Sequence, residues 1–400
     1  MNISEMRIVL CFGMHNHLKF FIKRFAEYLS AQDIVYYLFN CDKYEDSAYG
    51  LREFVTNNLN VVMFTYNNIG VGLYDEVGQN FWKKHGITVF DFIQDHPRNY
   101  PDTLLNPPCN IVAIAIDRNH EEYIRRHYPL VKDVFFATNG GTESKTPIQY
   151  KDRKYDVIYM GSCLNPGDRF PKIEFMEDGG AEFYQCCVST LFYNSGLTTE
   201  EVFDLYFENK GISLSDEKRR QINEKCGYAV EGMVRYQTRM EAIKALDNAG
   251  IQVDIWGEWN SEGFSDNVTI HDYVLPEELL DIAGNAKIAL CATPWYKRGC
   301  SEKQMDALLC GCVCVTDTSE YLLENYNDGE SIVFFDFENL DQLVADILWL
   351  LEHEDAAEAI AKSGYNTALI KDTWERRYEK ILARMYSDVC SDGAIYRLER

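Results

Sequence analysis

Short apolar runs, each closed by glycine or a polar turn and followed by a helical pattern, recur down this chain. That alternation limits the fold more than any other feature. Residues 7–12 form the first run and end at Gly13. Leu18, Phe21, Ile22, Phe25 and Leu29 then mark one helical face, with Lys19, Lys23 and Arg24 off it. Packing on a sheet explains that stripe better than a membrane surface does. Further strands are expected at 34–39, 60–64, 88–93, 111–116 and 133–137, with helices at about 49–57, 74–85 and 119–127. Strands separated by helices specify an α/β domain with a parallel sheet, because parallel neighbours need a long crossover.

A turn-rich stretch from Thr138, TNGGTESKTPIQYKDRK, is the expected domain boundary. The alternation restarts at 155–160 and closes with Gly161 and Ser162. Residues 165–225 then interrupt it with helical pieces at 182–192, 199–209 and 216–225, read as an inserted helical subdomain. A helix from about 232 to 248, strands at 252–256 and 268–271, and a helix at 276–283 follow. A strand at 331–335 and helices at 340–351, about 355–363 and 373–385 complete the chain. The expectation is two Rossmann-like domains, 1–145 and 150–372, with the insertion at about 165–225.

Composition excludes several classes. Lysine and arginine number 39 against 63 acids, a net charge of −24, which repels nucleic acid and anionic lipid as general partners. No apolar run is long enough to span a bilayer. The N-terminus, MNISEMRIVLCFG, runs straight into a strand without a leader-like apolar core. Thirteen cysteines are too sparse for a disulfide scaffold, so a reduced, cytoplasmic setting is expected. Cys310, Cys312 and Cys314 alternate, but with no histidine nearby they read as small buried residues, not metal ligands.

The most informative stretch is residues 286–317, AKIALCATPWYKRGCSEKQMDALLCGCVCVTD. It reads as a buried strand at 288–291, a loop with Lys297 and Arg298, a short helix and a second buried strand at 312–315. Ser301 and Gln304 have capping-box spacing, and Gly311 stands where a left-handed C-terminal residue is wanted. Met305, Leu308 and Leu309 form the buried stripe, while Glu302, Lys303 and Asp306 share another face. A strand, a loop and a helix N-terminus make an anion site at the carboxyl end of a parallel strand. The expected ligand is a diphosphate, cradled at Ser301, Glu302 and Lys303, with the acid Asp306 one turn further in.

The order YDVIYMGS, then R-x-x-x-R-M-E-A-I-x-A-L-x-x-x-G-I-x-V-x-I-W-G, then HDYV, then S-E-K-Q-M-D-A-L-L-C-G-C-V-C-V-T-D resembles the C-terminal half of GT-B glycosyltransferases. It is most similar to the spore-maturation CgeB-like group and, more distantly, to glycosyltransferase family 4. The resemblance covers roughly residues 155–385 outside the insertion; the N-terminal half matches in layout. It implies two Rossmann-like domains facing a cleft. It also implies that the last helix, TWERRYEKILARM, crosses back to the first domain, so that 373–400 count with it. Asp306 stands where the family carries a Glu that binds the ribose hydroxyls, and is one methylene shorter. Lys303 stands where the CgeB-like group has a basic residue near the diphosphate. Arg239, with Arg235, matches the cations on the diphosphate, and Tyr273 and Val274 fall beside the base. In the family 4 E-x7-E spacing, the earlier position is Arg298 here, so that motif is absent and no stereochemical outcome is inferred.

The implied reaction is hexosyl-type transfer from a nucleotide diphosphate sugar, with a UDP-sugar favoured and no other cofactor. The departing diphosphate needs positive charge, expected from Lys297, Arg298 and Lys303 with Arg239. No Asp-x-Asp occurs to hold a metal, so metal independence is expected. Asp95 or His96 in QDHPRN is a candidate to orient the sugar or to deprotonate the acceptor, against a plain turn with Asp95 as cap. His15, with His17 beside it, is a rival base. Gly161 and Ser162 end a strand at the phosphate side, Trp256 reads as core, Trp259 as a ligand border, and His271 as structural or functional. The acceptor, whether glycan, protein or small molecule, is not named by the sequence. The insertion shapes either the acceptor side or a homo-oligomer contact. A sugar-nucleotide epimerase and a non-catalytic sugar-nucleotide-binding or coat-assembly protein are the alternatives.

Overall fold

A computed structural model describes residues 5–13, 15–166, 179–259 and 263–398. The chain divides into two compact units, residues 1–140 with 374–400, and residues 141–373.

The first unit is built on β1 (Arg7–Phe12), β2 (Tyr36–Asn40), β3 (Val61–Tyr66), β4 (Val89–Ile93), β5 (Ile111–Ala115) and β6 (Asp133–Phe136). These strands pair in parallel in the order β2-β1-β3-β4-β5-β6. Helices α1 (Asn16–Ala31), α2 (Tyr44–Asn57), α3 (Phe81–Lys84), α4 (Pro101–Leu105) and α5 (Arg118–His127) connect them. β4 and β5 are buried along their whole length, as strands covered on both faces must be. The order reverses direction between β1 and β3, which makes a crevice at their carboxyl ends.

The expected helix at 74–85 is a correction. Only Phe81–Lys84 is helical; residues 74–80 continue the loop that leaves β3, in which Asn67, Asn68, Gly70 and Gly78 adopt positive φ. The Asp75 carboxylate accepts from the Val77 and Gln79 amides, so its side chain stabilises a turn against the helix.

Asp91, on β4, is fully buried. One oxygen accepts from the Asn68 amide and the other has no partner, so desolvation pushes its pKa up to about 7. An unfolded aspartate titrates at about 4. The cost of ionising it in the fold therefore grows from about pH 4 to about pH 7 and is constant above. Asp91→Asn is expected to raise stability by an amount that follows that curve. Equal urea midpoints for variant and wild type at pH 5 and pH 8 would show that burial exacts no such cost.

The second unit carries β7 (Tyr155–Met160), β8 (Val253–Trp256), β9 (Val268–His271), β10 (Ala286–Cys291), β11 (Val313–Asp317) and β12 (Val333–Phe335), parallel and in the order β12-β11-β10-β7-β8-β9. α6 (Gly180–Phe192), α7 (Thr199–Asn209) and α8 (Asp216–Ile222) form the insertion, of which residues 167–178 lie outside the described residues. α8 passes through a wide helical turn, Asn223–Gly227, directly into α9 (Tyr228–Asn248). Phe183, Cys187, Leu191, Val202 and Phe203 pack with Val230 and Val234 of α9, so the insertion has its own small core. α10 (Pro276–Ala283), α11 (Glu302–Leu309), α12 (Glu320–Asn325), α13 (Leu340–Glu352) and α14 (Glu354–Lys371) complete this unit. The sequence reading passed over α12, whose cap is Ser319, and placed the end of α14 too early.

α15 (Trp374–Leu398) belongs to the first unit. Tyr378 stacks on Phe25 of α1 at 4.4 Å and donates to the Phe21 carbonyl at 3.1 Å. Among the described residues, no helix is long and apolar enough to cross a membrane.

Candidate functional site

The second sheet reverses direction between β7 and β10, so its crevice opens at the carboxyl ends of those strands. β7 ends at Gly161, whose φ of +149° disfavours a side chain. A Cβ there would lie 2.9 Å from the Lys303 Nζ. β8 ends at Gly257, where a Cβ would lie 2.4 Å from the Gly161 carbonyl oxygen. The two glycines therefore let the loops meet and leave room for the lysine. Trp259 Nε1 donates to the Gly161 carbonyl, and the Glu258 amide donates to Ser162 Oγ at 3.0 Å.

Two arginines enter from α9, one helical turn apart. Arg239 is 6% exposed and donates through Nη1 to the Ser162 carbonyl, while its Nε is buried without a partner. Arg235 lies 3.4 Å from Glu231, and its Nε is also buried without a partner. Between them stands Trp295, with the guanidinium carbons 4.1 Å (Arg235) and 4.9 Å (Arg239) from the ring centroid. Lys303, in the first turn of α11, has no hydrogen bond or ion pair among the described residues. Burial lowers its pKa, and Arg239 and Arg235 lower it further; Glu302 opposes them. Burial likewise lowers that of Arg239, with Arg235 adding to the effect and Asp317 opposing it. The result is a pre-assembled positive pocket in which, among the described residues, neither Arg239 nor Lys303 has a paired carboxylate, which suits an anion.

α11 is held rigidly behind this pocket. Gln304 accepts from the Ser301 amide at 2.8 Å and donates to Thr293 and Thr316 at 2.9 and 2.8 Å, so one side chain ties the helix start to the ends of β10 and β11. Gly311 has the left-handed φ of +72° expected of a helix C-terminus. A cavity of about 290 Å³, lined among others by Ser195, Pro294, Asp317 and Phe335, opens at the ends of β10 to β12. Burial pushes Asp317, which accepts from the Thr293 amide at 2.7 Å, up to about 6.

Several expected site residues are used elsewhere. Arg298 is paired with Glu320 at 2.6 Å, and Lys297 donates to the Ser195 carbonyl of the insertion. Arg298 is thereby tied to α12 and Lys297 to the insertion. Asp306 accepts from the Thr142 amide at 2.8 Å, so one of its oxygens secures the segment that leads into this unit. Trp256 is buried and stacks on His271 at 4.1 Å; His271 also bonds Asp254 at 2.6 Å, which makes it a structural residue. Trp259 anchors the β7 loop. Tyr273 and Val274 lie between β9 and α10, with Tyr273 66% exposed. Cys310, Cys312 and Cys314 are buried, and among the described residues no group of three His, Cys, Asp or Glu could hold a metal ion.

In the first unit, Asp95 accepts from Asn67 at 3.1 Å and from the Tyr100 hydroxyl at 2.9 Å, which fastens the loop after β4 to the loop after β3. His96, not Asp95, caps the turn at Pro97: its Nδ1 accepts from the Arg98 amide at 3.1 Å. A neutral ring that accepts at Nδ1 carries its proton on Nε2, so His96 is poorly set to take another. His15 is exposed at the end of β1, beside the reversal of the first sheet, and makes no capping bond. His17 packs edge-on against Phe21. The sequence reading missed Gly257, although a glycine after a strand was a signal, and Trp295, for which no signal existed.

Residues 235–383 match a family model described as glycosyl transferase-like. No curated protein matches the sequence. Among solved structures, an α-glucosyltransferase in complex with UDP and a 13-mer DNA containing an HMU base is 9% identical, with a TM-score of 0.55 over 97% of this chain and 100% of that one. Anabaena Alr3699/HepE in complex with UDP and glucose is 10% identical, with a TM-score of 0.51 over 96% and 100%. A match to TarM of S. aureus, at 12% identity and a TM-score of 0.47, covers 85% of this chain, which spans 57% of that one.

Proposed function

We propose that this chain, GT-B in fold and glycosyl transferase-like over residues 235–383, is an enzyme that moves a sugar from a nucleotide diphosphate sugar to an acceptor hydroxyl. The observation that carries this reading is the Arg235–Arg239–Lys303 cluster over the Gly161–Gly257 cradle. In the reaction the bond from the anomeric carbon to the diphosphate oxygen breaks, and a bond to the acceptor oxygen forms. The acceptor proton passes to a base, and the diphosphate leaves with the bonding electrons. The three cations stabilise the charge that develops on it, the task a metal performs in other transferases. Metal independence belongs to this reading. So do the ribose role of Asp306, the base-side placement of Tyr273 and Val274, and the CgeB-like grouping.

His15 is the base this reading favours, with Asp95 orienting the sugar, since His96 has its Nδ1 engaged. UDP is the favoured nucleotide because the two structural neighbours described above with a TM-score over 0.5 are complexes with it. The test is a thermal-shift screen of UDP, GDP, dTDP and CDP, followed by turnover assays of the matching sugars with and without EDTA. A selective shift with EDTA-resistant turnover is expected. A shift with neither hydrolysis nor transfer would favour the non-catalytic reading, and product without an acceptor the epimerase.

Gly161→Ala should separate the cradle from the rest of the fold. The φ of +149° is strained for alanine by roughly 1–3 kcal/mol, and the methyl would press on Lys303. A lower Tm together with loss of the UDP-induced shift is expected; an undiminished shift would remove Gly161 from the site.

A further inference from the structure

We propose that Trp295 is a positioning residue that holds Arg235 and Arg239 for the diphosphate; this rests on the donor-site reading above. Two like charges one helical turn apart repel each other, and both side chains are long and flexible. A carboxylate would hold them, but among the described residues only Glu231 pairs with Arg235, and no carboxylate pairs with Arg239. What the two guanidiniums share is the indole face, at 4.1 and 4.9 Å. A π face attracts a cation through its quadrupole and carries no net charge. It can therefore fix both arginines and leave their charge available to an incoming anion. A carboxylate in the same place would neutralise them and compete with the ligand.

The loop that presents Trp295 is itself fixed. Before it, the Thr293 amide donates to Asp317 at 2.7 Å and Pro294 is buried. After it, the Tyr296 amide donates to the Thr293 carbonyl at 3.1 Å, and Lys297 donates to Ser195 of the insertion. The insertion thus steadies the loop that orients the arginines, which gives it a part in donor binding.

The experiment compares Trp295→Phe, Trp295→Leu and Trp295→Met in the full chain, by titration with UDP and, separately, with inorganic pyrophosphate. Leucine and methionine keep an apolar side chain and remove the π face; phenylalanine keeps a π face. On the order of tenfold weaker binding of both probes is expected for leucine and methionine, with most of the affinity kept by phenylalanine. The KM for the sugar nucleotide should rise by a similar factor, and the Tm should stay near wild type. The proposal is overturned if a folded leucine or methionine variant binds as wild type does, or if phenylalanine loses as much as they do. Wild type that binds pyrophosphate and no nucleotide would sink the sugar-nucleotide reading and still test Trp295. Wild type that binds neither would sink both.

Discussion

Lys303→Met lowers turnover by about a hundredfold to a thousandfold and leaves the fold intact. That range is typical for removal of one preorganised group that faces the charge developing in a transition state. Methionine keeps the length and apolar stem of the lysine, so packing beside Gly161 is little changed. The lysine is also a stability cost in the ligand-free protein. Burial and Arg239 hold its folded pKa below the value of about 10.4 in an unfolded chain. Below its folded pKa the full cost is present, and it falls away as pH rises towards the unfolded value. Lys303→Met should therefore raise the Tm at neutral pH, with a smaller gain at alkaline pH. A bound diphosphate restores the proton, so wild-type UDP affinity should fall as pH rises through the ligand-free pKa of Lys303. That dependence should be weaker in the variant. Wild-type turnover in Lys303→Met would remove the assigned site.

Trp374→Ala destabilises the first unit by roughly 3–5 kcal/mol, the usual range for emptying a fully buried large aromatic site. Trp374 is 0% exposed and lies 4.7 Å from the Phe21 ring, with Tyr66, Phe92 and Tyr378 around it. It stands at the start of α15, so the cavity would loosen the helix that covers α1. In a chain of two units a single unfolding free energy is poorly defined. The useful measurement is hydrogen exchange on α1 and α15 together with the transition of the first unit. That transition is expected to drop by roughly 6–20 °C. Unchanged protection in α1 would show that the last helix adds nothing to the first unit.

The strands were legible because a parallel strand covered on both faces must carry an unbroken apolar run, and residues 157–160, 288–291 and 313–315 are such runs. Gly161 and Gly311 were legible too, since a strand or helix that ends abruptly calls for positive φ. Residues 74–80 read as helix because the spacing of apolar residues from Tyr74 to Trp82 is helical, while the Asp75 turn that overrides it acts through side-chain bonds.

Sequence alone determined the α/β alternation, the break after Thr138 and the capped helix start at Ser301, because each depends on neighbours within a few residues. Tertiary structure decided which cations come together. Arg298 is taken by Glu320, Lys297 by Ser195, and Arg235 is brought in by Trp295. A long charged side chain binds the first good acceptor or ring it can reach, and that partner lies a turn, a loop or a whole insertion away in the sequence.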